Sequence, residues 1–342
     1  MHKPSEILEA VNKALAEMPL ERKPAGLYEP VRYVLSLGGK RIRPVLMLMA
    51  YELYRDDIMT IMPAALGIET YHNYTLLHDD VMDRADVRRG KPTVHRVWND
   101  NTAILSGDAM LVLAYQLMAQ AKAEVLKPVM DLFTETALEI GEGQQYDMEF
   151  ETRLDVCEEE YIEMIRLKTS VLLACALKLG AMQAGAPEAD AQRLYDFGVN
   201  LGLAFQLQDD LLDVYGDFET FGKRIGGDIL EGKKTFMLIN ALRLADVQQR
   251  AELEGWLLRP TTIDAGQHAA VAEGISATPC DPQEKIAAVT AIYNAIGVRQ
   301  LAEQKIACYF DAALKCLDSV ELHDDRKQQL RQLALSLMGR AS

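Results

Sequence analysis

The chain has 342 residues, 49% of them hydrophobic, enough to close a large core. Its net charge of −15 argues against a nucleic-acid partner, because a phosphate backbone needs a basic face. A small anionic substrate is still compatible with that charge, if local Lys and Arg or carboxylate-bound metal ions receive it. Five cysteines (Cys157, Cys175, Cys280, Cys308 and Cys316) form no CxxC pair and read as reduced thiols of a cytoplasmic protein. The N-terminus carries no signal-peptide pattern. Lys178 interrupts the apolar stretch 171–186, so no stable membrane insertion is expected.

Apolar residues recur at three and four positions along nearly the whole chain, which predicts helices. In chain order they cover 6–18, ended by Pro19, then 28–37, closed by Gly38 and Gly39, and 44–54, opened by Pro44. Longer ones follow at 62–83, 101–121, 128–149, 157–185, 188–214 and 234–244. A loop-like stretch, 259–282, precedes a C-terminal pair, 281–317 and 319–338. No Asn-Gly hairpin or alternating strand run stands out. Helix 170–184 is apolar on most faces, as central helices of bundles are. The expected fold is all-α: one domain, 1–342, in which antiparallel helices surround a deep central cavity.

Two segments carry the same acidic pattern. LLHDDVMD holds Asp79, Asp80 and Asp83; QLQDDLLD holds Asp209, Asp210 and Asp213. Helical positions four apart share a face about 6 Å apart. Asp79 therefore converges with Asp83, and Asp209 with Asp213. Such carboxylates repel unless a cation sits between them, and hard oxygen donors select magnesium. A solvated acidic face is the plain alternative. Both clusters lie in strongly apolar sequence, and there are two of them, which favours metal.

Cations surround these clusters in sequence. GGKRIRP brings Lys40, Arg41 and Arg43 together after two glycines, a candidate diphosphate clamp. Arg88 and Arg89 follow the first cluster closely. Lys223, Lys233 and Lys234 lie in a Gly-rich stretch after the second, readable as a lid over a diphosphate or as a surface loop. Lys168 and Thr169 open an apolar run, where a snorkelling lysine is the common case. His72 sits two turns before Asp79; by itself a lone helical histidine reads as structural. Gln144, Gln145 and Asp147 could face the same cavity or water. Dinucleotide-binding, P-loop, nucleophile-elbow and Cys–His metal motifs are all missing.

The ordered set GGKRIRP, HDDVMDRADVRRGKPTVH, LKTS, FQLQDDLLDVYGD and FGKRIGGDILEGKKT resembles the trans-isoprenyl diphosphate synthases, the farnesyl and geranylgeranyl diphosphate synthase family. The resemblance runs over 38–235. It implies an isoprenoid-synthase-type bundle, usually homodimeric, that condenses isopentenyl diphosphate with an allylic diphosphate. Asp79, Asp83 and Asp209, with Asp80 and Asp213, would hold two or three magnesium ions, with manganese as a substitute. Arg88, Lys168, Lys223 and Lys233 would grip the allylic diphosphate. Lys40, Arg43, His72 and Arg89 would hold the isopentenyl diphosphate, so the resemblance gives His72 a role. Thr169 and Gln206 would line the reacting centre.

Tyr74 lies five residues before Asp79, about 7.5 Å along a helix, and Tyr71 one turn deeper. In the family a bulky residue at the Tyr74 position blocks long products, so a fifteen- or twenty-carbon product is expected. Three alternatives stand beside this reading. A class I terpene cyclase needs no second diphosphate site, against Lys40, Arg43 and Arg89. A regulatory subunit would have degenerate aspartates. A structural helical bundle would bind no diphosphate.

Overall fold

The computed structural model describes residues 1–153, 155–216, 225–262 and 279–339. It is all-α apart from one two-stranded hairpin among the described residues. Its residues group into two units. The first comprises Met1–Leu138, Leu172–Gly198 and Lys315–Leu333; the second comprises Glu139–Val171, Val199–Leu314 and Ala334–Ser342.

The first unit opens with α1 (Pro4–Ala16), α2 (Ala25–Ser36) and α3 (Ile42–Glu52). Gly38 and Gly39 end α2 as expected, with φ of 76° and 130° that only glycine adopts readily. Helix α4 (Met62–Met82) is its centre and packs on α3 and on α6 (Asp100–Met118). Gly67 makes the α4–α6 contact possible: a Cβ there would stand 3.1 Å from the Ala114 carbonyl oxygen. Between α4 and α6 run strands β1 (Val87–Arg88) and β2 (Lys91–Pro92) and a short α5 (Val94–Val97).

That hairpin corrects the expectation of none. Arg89 and Gly90 connect its strands with φ of 53° and 74°, the doubly positive backbone of a type I′ turn. The usual signal is Asn-Gly or Asp-Gly, and here an arginine occupies the first position.

Helix α7 (Ala123–Thr152) starts in the first unit and ends in the second. It begins five residues before the predicted start, with Pro128 inside it. The predicted helix 157–185 is three pieces: α8 (Glu158–Ile165), a π-helical turn at Arg166–Ser170, and α9 (Val171–Ala184). Helix α10 (Glu188–Tyr215) carries the second acidic cluster.

Beyond it come helices at Gly227–Glu231, Phe236–Leu244, Val247–Leu257, Pro282–Ile296, Val298–Asp318 and Asp324–Met338. The predicted segment 281–317 is divided at Gly297, whose φ of 85° caps one helix before the next. Helix Val247–Leu257 was not expected; it buries only Leu253, too little to show as periodicity. The second unit's core joins Tyr161, Met164 and Ile165 to Leu207, Leu211, Phe236 and Tyr293. Among the described residues no helix is long and apolar enough to cross a membrane.

Candidate active site

In the first unit the GGKRIRP cations separate into two roles. Arg41 adopts φ 46° at the N-terminus of α3 and points inward, only 4% exposed. Its Nη1 donates to Glu69 Oε1 at 2.7 Å and its Nη2 to the Leu35 carbonyl at 2.6 Å. Arg41 is therefore a structural ion pair, a correction to the three-cation clamp. Lys40 stays exposed.

Arg43 Nη1 lies 3.1 Å from His72 Nε2, while its Nε is buried without a hydrogen-bond partner. Burial, followed by the Arg43 and Arg89 charges, holds His72 well below the usual imidazole range, so the ring is neutral and accepts from Arg43. Burial also brings Arg43 down to about 10, against the pull of Glu69, and leaves it a cation at neutral pH.

Arg89 completes the cluster. Its guanidinium donates to the Gly38 carbonyl and, at 3.4 Å, to Asn73 Oδ1. A Cβ on Gly39 would meet the guanidinium carbon at 2.8 Å, so the second glycine of the motif is the seat of Arg89. The left-handed backbone at Arg89 costs about 1–2 kcal/mol for a non-glycine residue. Glu69 and Asn73 beneath the cluster escaped the sequence reading. Their spacing to His72 was the available signal: 69, 72 and 73 form one polar stripe in apolar α4.

At the end of α4, Asp79 is part-buried, Asp80 is buried and Asp83, at the helix C-cap, is exposed. Arg88 Nε donates to Asp80 Oδ1 at 2.7 Å. Burial pushes the Asp80 carboxyl up and Arg88 pulls it down, with burial winning. One turn or more deeper lies an aromatic cluster. Tyr71 and Tyr74 rings are 5.5 Å apart, Tyr74 meets His78 at 4.8 Å, and Tyr71 and Tyr115 both contact Phe133. Tyr71 is anchored by its hydroxyl to the Ala137 carbonyl at 3.1 Å. The two tyrosines thus sit together, as the sequence suggested; Tyr115 and Phe133 come from other helices.

In the second unit, the π-turn presents Lys168 and Thr169. Two glycines let neighbouring helices reach it: a Cβ on Gly143 of α7 would lie 2.4 Å from the Lys168 nitrogen, and one on Gly202 of α10 2.7 Å from Ser170 Cα. Lys168 Nζ pairs with Asp147 Oδ2 at 2.5 Å. Gln145 instead bonds Glu149 on an exposed face. Thr169 Oγ1 donates to Gln206 Oε1 at 3.4 Å, and Gln206 Nε2 to Asp210 Oδ1 at 3.3 Å. The Tyr161 hydroxyl donates to the other Asp210 oxygen. Burial and the nearby Asp228 charge push Asp210 up to about 7 despite these donors.

Asp213 accepts from the Asp228 amide at 3.0 Å and its carbonyl from the Gly226 amide at 2.6 Å. It thereby anchors the short helix Gly227–Glu231, set between two left-handed glycines, that leads to Lys233. Desolvation alone would lower the Lys233 ammonium; Asp147, Asp228 and Asp210 together raise it. Lys234 turns away to the Glu151 and Gly232 carbonyls. Lys223 lies outside the described residues.

Among the described residues no three His, Cys, Asp or Glu side chains gather into a closed metal cage. The donor set still suits magnesium, which keeps most of its waters and takes one or two carboxylates plus substrate phosphate.

The fold and these clusters define a helical, diphosphate-handling enzyme of the prenyl-transfer class. The polyprenyl synthetase family model matches residues 24–273. A geranylgeranyl diphosphate synthase of Methanosarcina mazei is 42% identical over 233 residues, 68% of this chain and 72% of its own. A geranylfarnesyl diphosphate synthase of Natronomonas pharaonis is 38% identical over 285 residues, 78% of this chain and 82% of its own. A crystal structure of a geranylgeranyl pyrophosphate synthase superposes with a TM-score of 0.90 at 43% identity, covering 100% of both chains. The chain belongs to the polyprenyl synthetase family and is a chain-elongating prenyltransferase of the short-chain kind.

Proposed function

We propose that the protein condenses isopentenyl diphosphate with an allylic diphosphate (dimethylallyl, geranyl or farnesyl) and releases pyrophosphate. The observation that carries this is the Arg43–His72–Arg89 cluster at the Gly38–Gly39 turn, a second anion-receiving group apart in sequence from the second acidic motif. The forked Nη groups of Arg43 and the remaining ring N–H of a neutral His72 are donors that suit an incoming diphosphate. A terpene cyclase needs no such group.

Lys40, Arg43, His72 and Arg89 hold the isopentenyl diphosphate in this reading. Arg88, Lys168, Lys223 and Lys233 grip the allylic diphosphate, which requires Arg88 to share or release Asp80. Asp79, Asp83 and Asp209, with Asp80 and Asp213, would hold magnesium ions, or manganese in their place, to neutralise the charge building on departing pyrophosphate. The allylic C–O bond breaks and its electron pair leaves with pyrophosphate. The isopentenyl double bond attacks the allylic cation, and the proton lost from the adduct passes to pyrophosphate. Thr169 and Gln206 turn their dipoles to the cation, and apolar walls keep water from it.

Tyr74 on Tyr71 serves as the floor that limits the product to fifteen or twenty carbons. The protein acts as one domain, since the family match spans both units. It pairs as a homodimer through exposed apolar residues of α6 (Ile104, Leu105 and Val112) and Leu138 of α7. Among the described residues no disulfide joins the cysteines, which suits a reducing cytoplasm. The test is incubation of labelled isopentenyl diphosphate with each allylic primer and magnesium, with product sizing. Elongation of at least one primer is expected; none with any primer would sink this reading.

A further inference from the structure

We propose that Glu69 and Asn73 are positioning residues for the isopentenyl diphosphate clamp: one buried carboxylate and one buried amide hold the guanidinium groups of Arg43 and Arg89 in the receiving orientation. This rests on the reading of that cluster given above. Both residues are only 1% exposed, and neither is reachable by a substrate.

The connections run as a relay. Glu69 Oε1 accepts from Arg41 at 2.7 Å and from Asn73 Nδ2 at 2.9 Å. Asn73 Nδ2 also donates to the Glu69 carbonyl at 2.8 Å, which fixes the amide so that its Oδ1 faces Arg89. Three guanidinium groups in one partly buried cluster repel one another. Glu69 is the carboxylate whose charge steadies both Arg43 and Arg89 against that repulsion and against desolvation.

The second oxygen, Glu69 Oε2, is buried without a hydrogen-bond partner, and so is Arg43 Nε. One is an acceptor and the other a donor, in the same charge cluster. Buried polar atoms left this way are costly and rare in folded proteins. Their complementarity assigns Glu69 a task on ligand binding: Arg43 turns its Nε toward Oε2 and presents its forked Nη groups to the diphosphate.

The test measures isopentenyl diphosphate binding by calorimetry in chelator, without metal, alongside the KM values of both substrates. The Glu69→Gln variant keeps shape and loses charge; its dissociation constant should rise about tenfold, the scale of one lost charge-assisted interaction. Asn73→Ala, which leaves the Arg41–Glu69 pair intact and decides the matter where Glu69→Gln fails to fold, should weaken binding about fivefold. Glu69→Asp, shorter but charged, should bind better than Glu69→Gln, whereas a packing role would reverse that order. The KM for isopentenyl diphosphate should follow these constants, with the allylic KM unchanged. Binding as tight as wild type, or tighter, in both Glu69→Gln and Asn73→Ala overturns the inference. If the wild-type protein itself binds no isopentenyl diphosphate, it is the clamp reading that fails.

Discussion

His72 shows how neighbours decide a residue's chemistry. Its sequence context suggested a structural histidine, and only the family resemblance pointed elsewhere. In the fold it accepts from Arg43 and is pressed by Arg89, Arg88 and Arg41 as well. The consequence for stability has a definite sign. The folded-state pKa lies well below the ordinary 6.5 of the unfolded chain. Above 6.5 the ring is neutral in both states and contributes nothing. As pH falls below 6.5 the unfolded chain takes a proton that the folded protein refuses, so stability is lost. The loss is at most about 1.4 kcal/mol per pH unit. His72→Gln should remove that slope between pH 6.5 and 5 relative to wild type, measured by urea unfolding across the range. Parallel slopes in the two proteins would mean that His72 titrates normally.

At the scale of elements, a π-helical turn and helix α4 position most of the named side chains. The π-turn Arg166–Ser170 aims Lys168 and Thr169, and its extra residue per turn is accommodated because α7 and α10 present glycines to it. Gly143→Ala would drive a methyl into the backbone of Lys168, which cannot rotate away. A loss of about 1–3 kcal/mol is expected, typical of overpacking, with a fall in kcat larger than any change in the KM for isopentenyl diphosphate. Thermal unfolding and steady-state kinetics check both parts. Helix α4 carries the proposed floor. Tyr74 is packed between Tyr71 and His78, and Tyr71 in turn rests on Phe133. Tyr74→Ala should shift the product by at least one five-carbon unit, read by chromatography of the dephosphorylated alcohols. An unchanged product distribution counts against Tyr74 as the floor.

At the scale of the whole molecule, the exposed apolar residues of α6 need an explanation that the monomer does not supply. Leu105 is 59% and Val112 68% exposed on a helix otherwise well packed. A helical face of this kind is worth covering, at about 25 cal/mol per Å² of apolar area. If the proposed homodimer forms through this face, the wild-type chain should sediment as a dimer and the double variant Leu105→Glu with Val112→Glu as a monomer. A wild-type chain that sediments as a monomer would remove the homodimer reading, and the α6 face would then need another partner.

The all-α fold, the order of the long helices, both aspartate motifs and the paired tyrosines were legible because each is a local signal. Period 3.6, a capping glycine or an i, i+4 pair is written within a few residues. What escaped depended on residues far apart in the chain. Arg41 and Arg43 are two positions apart and alike in sequence, yet Glu69, 28 residues from Arg41, pairs with one, while the other meets His72. The hairpin turn has Gly90 as its only local signal; Gly38 and Gly39, some 50 residues away, seat its Arg89. The π-turn looked like plain helix because its cause lies in Gly143 and Gly202. The sequence by itself determined which groups could do chemistry and on which helices they stand. Tertiary structure decided which cations are consumed inside the fold and which are left to act, because a buried charge answers to partners brought beside it by packing rather than by chain order.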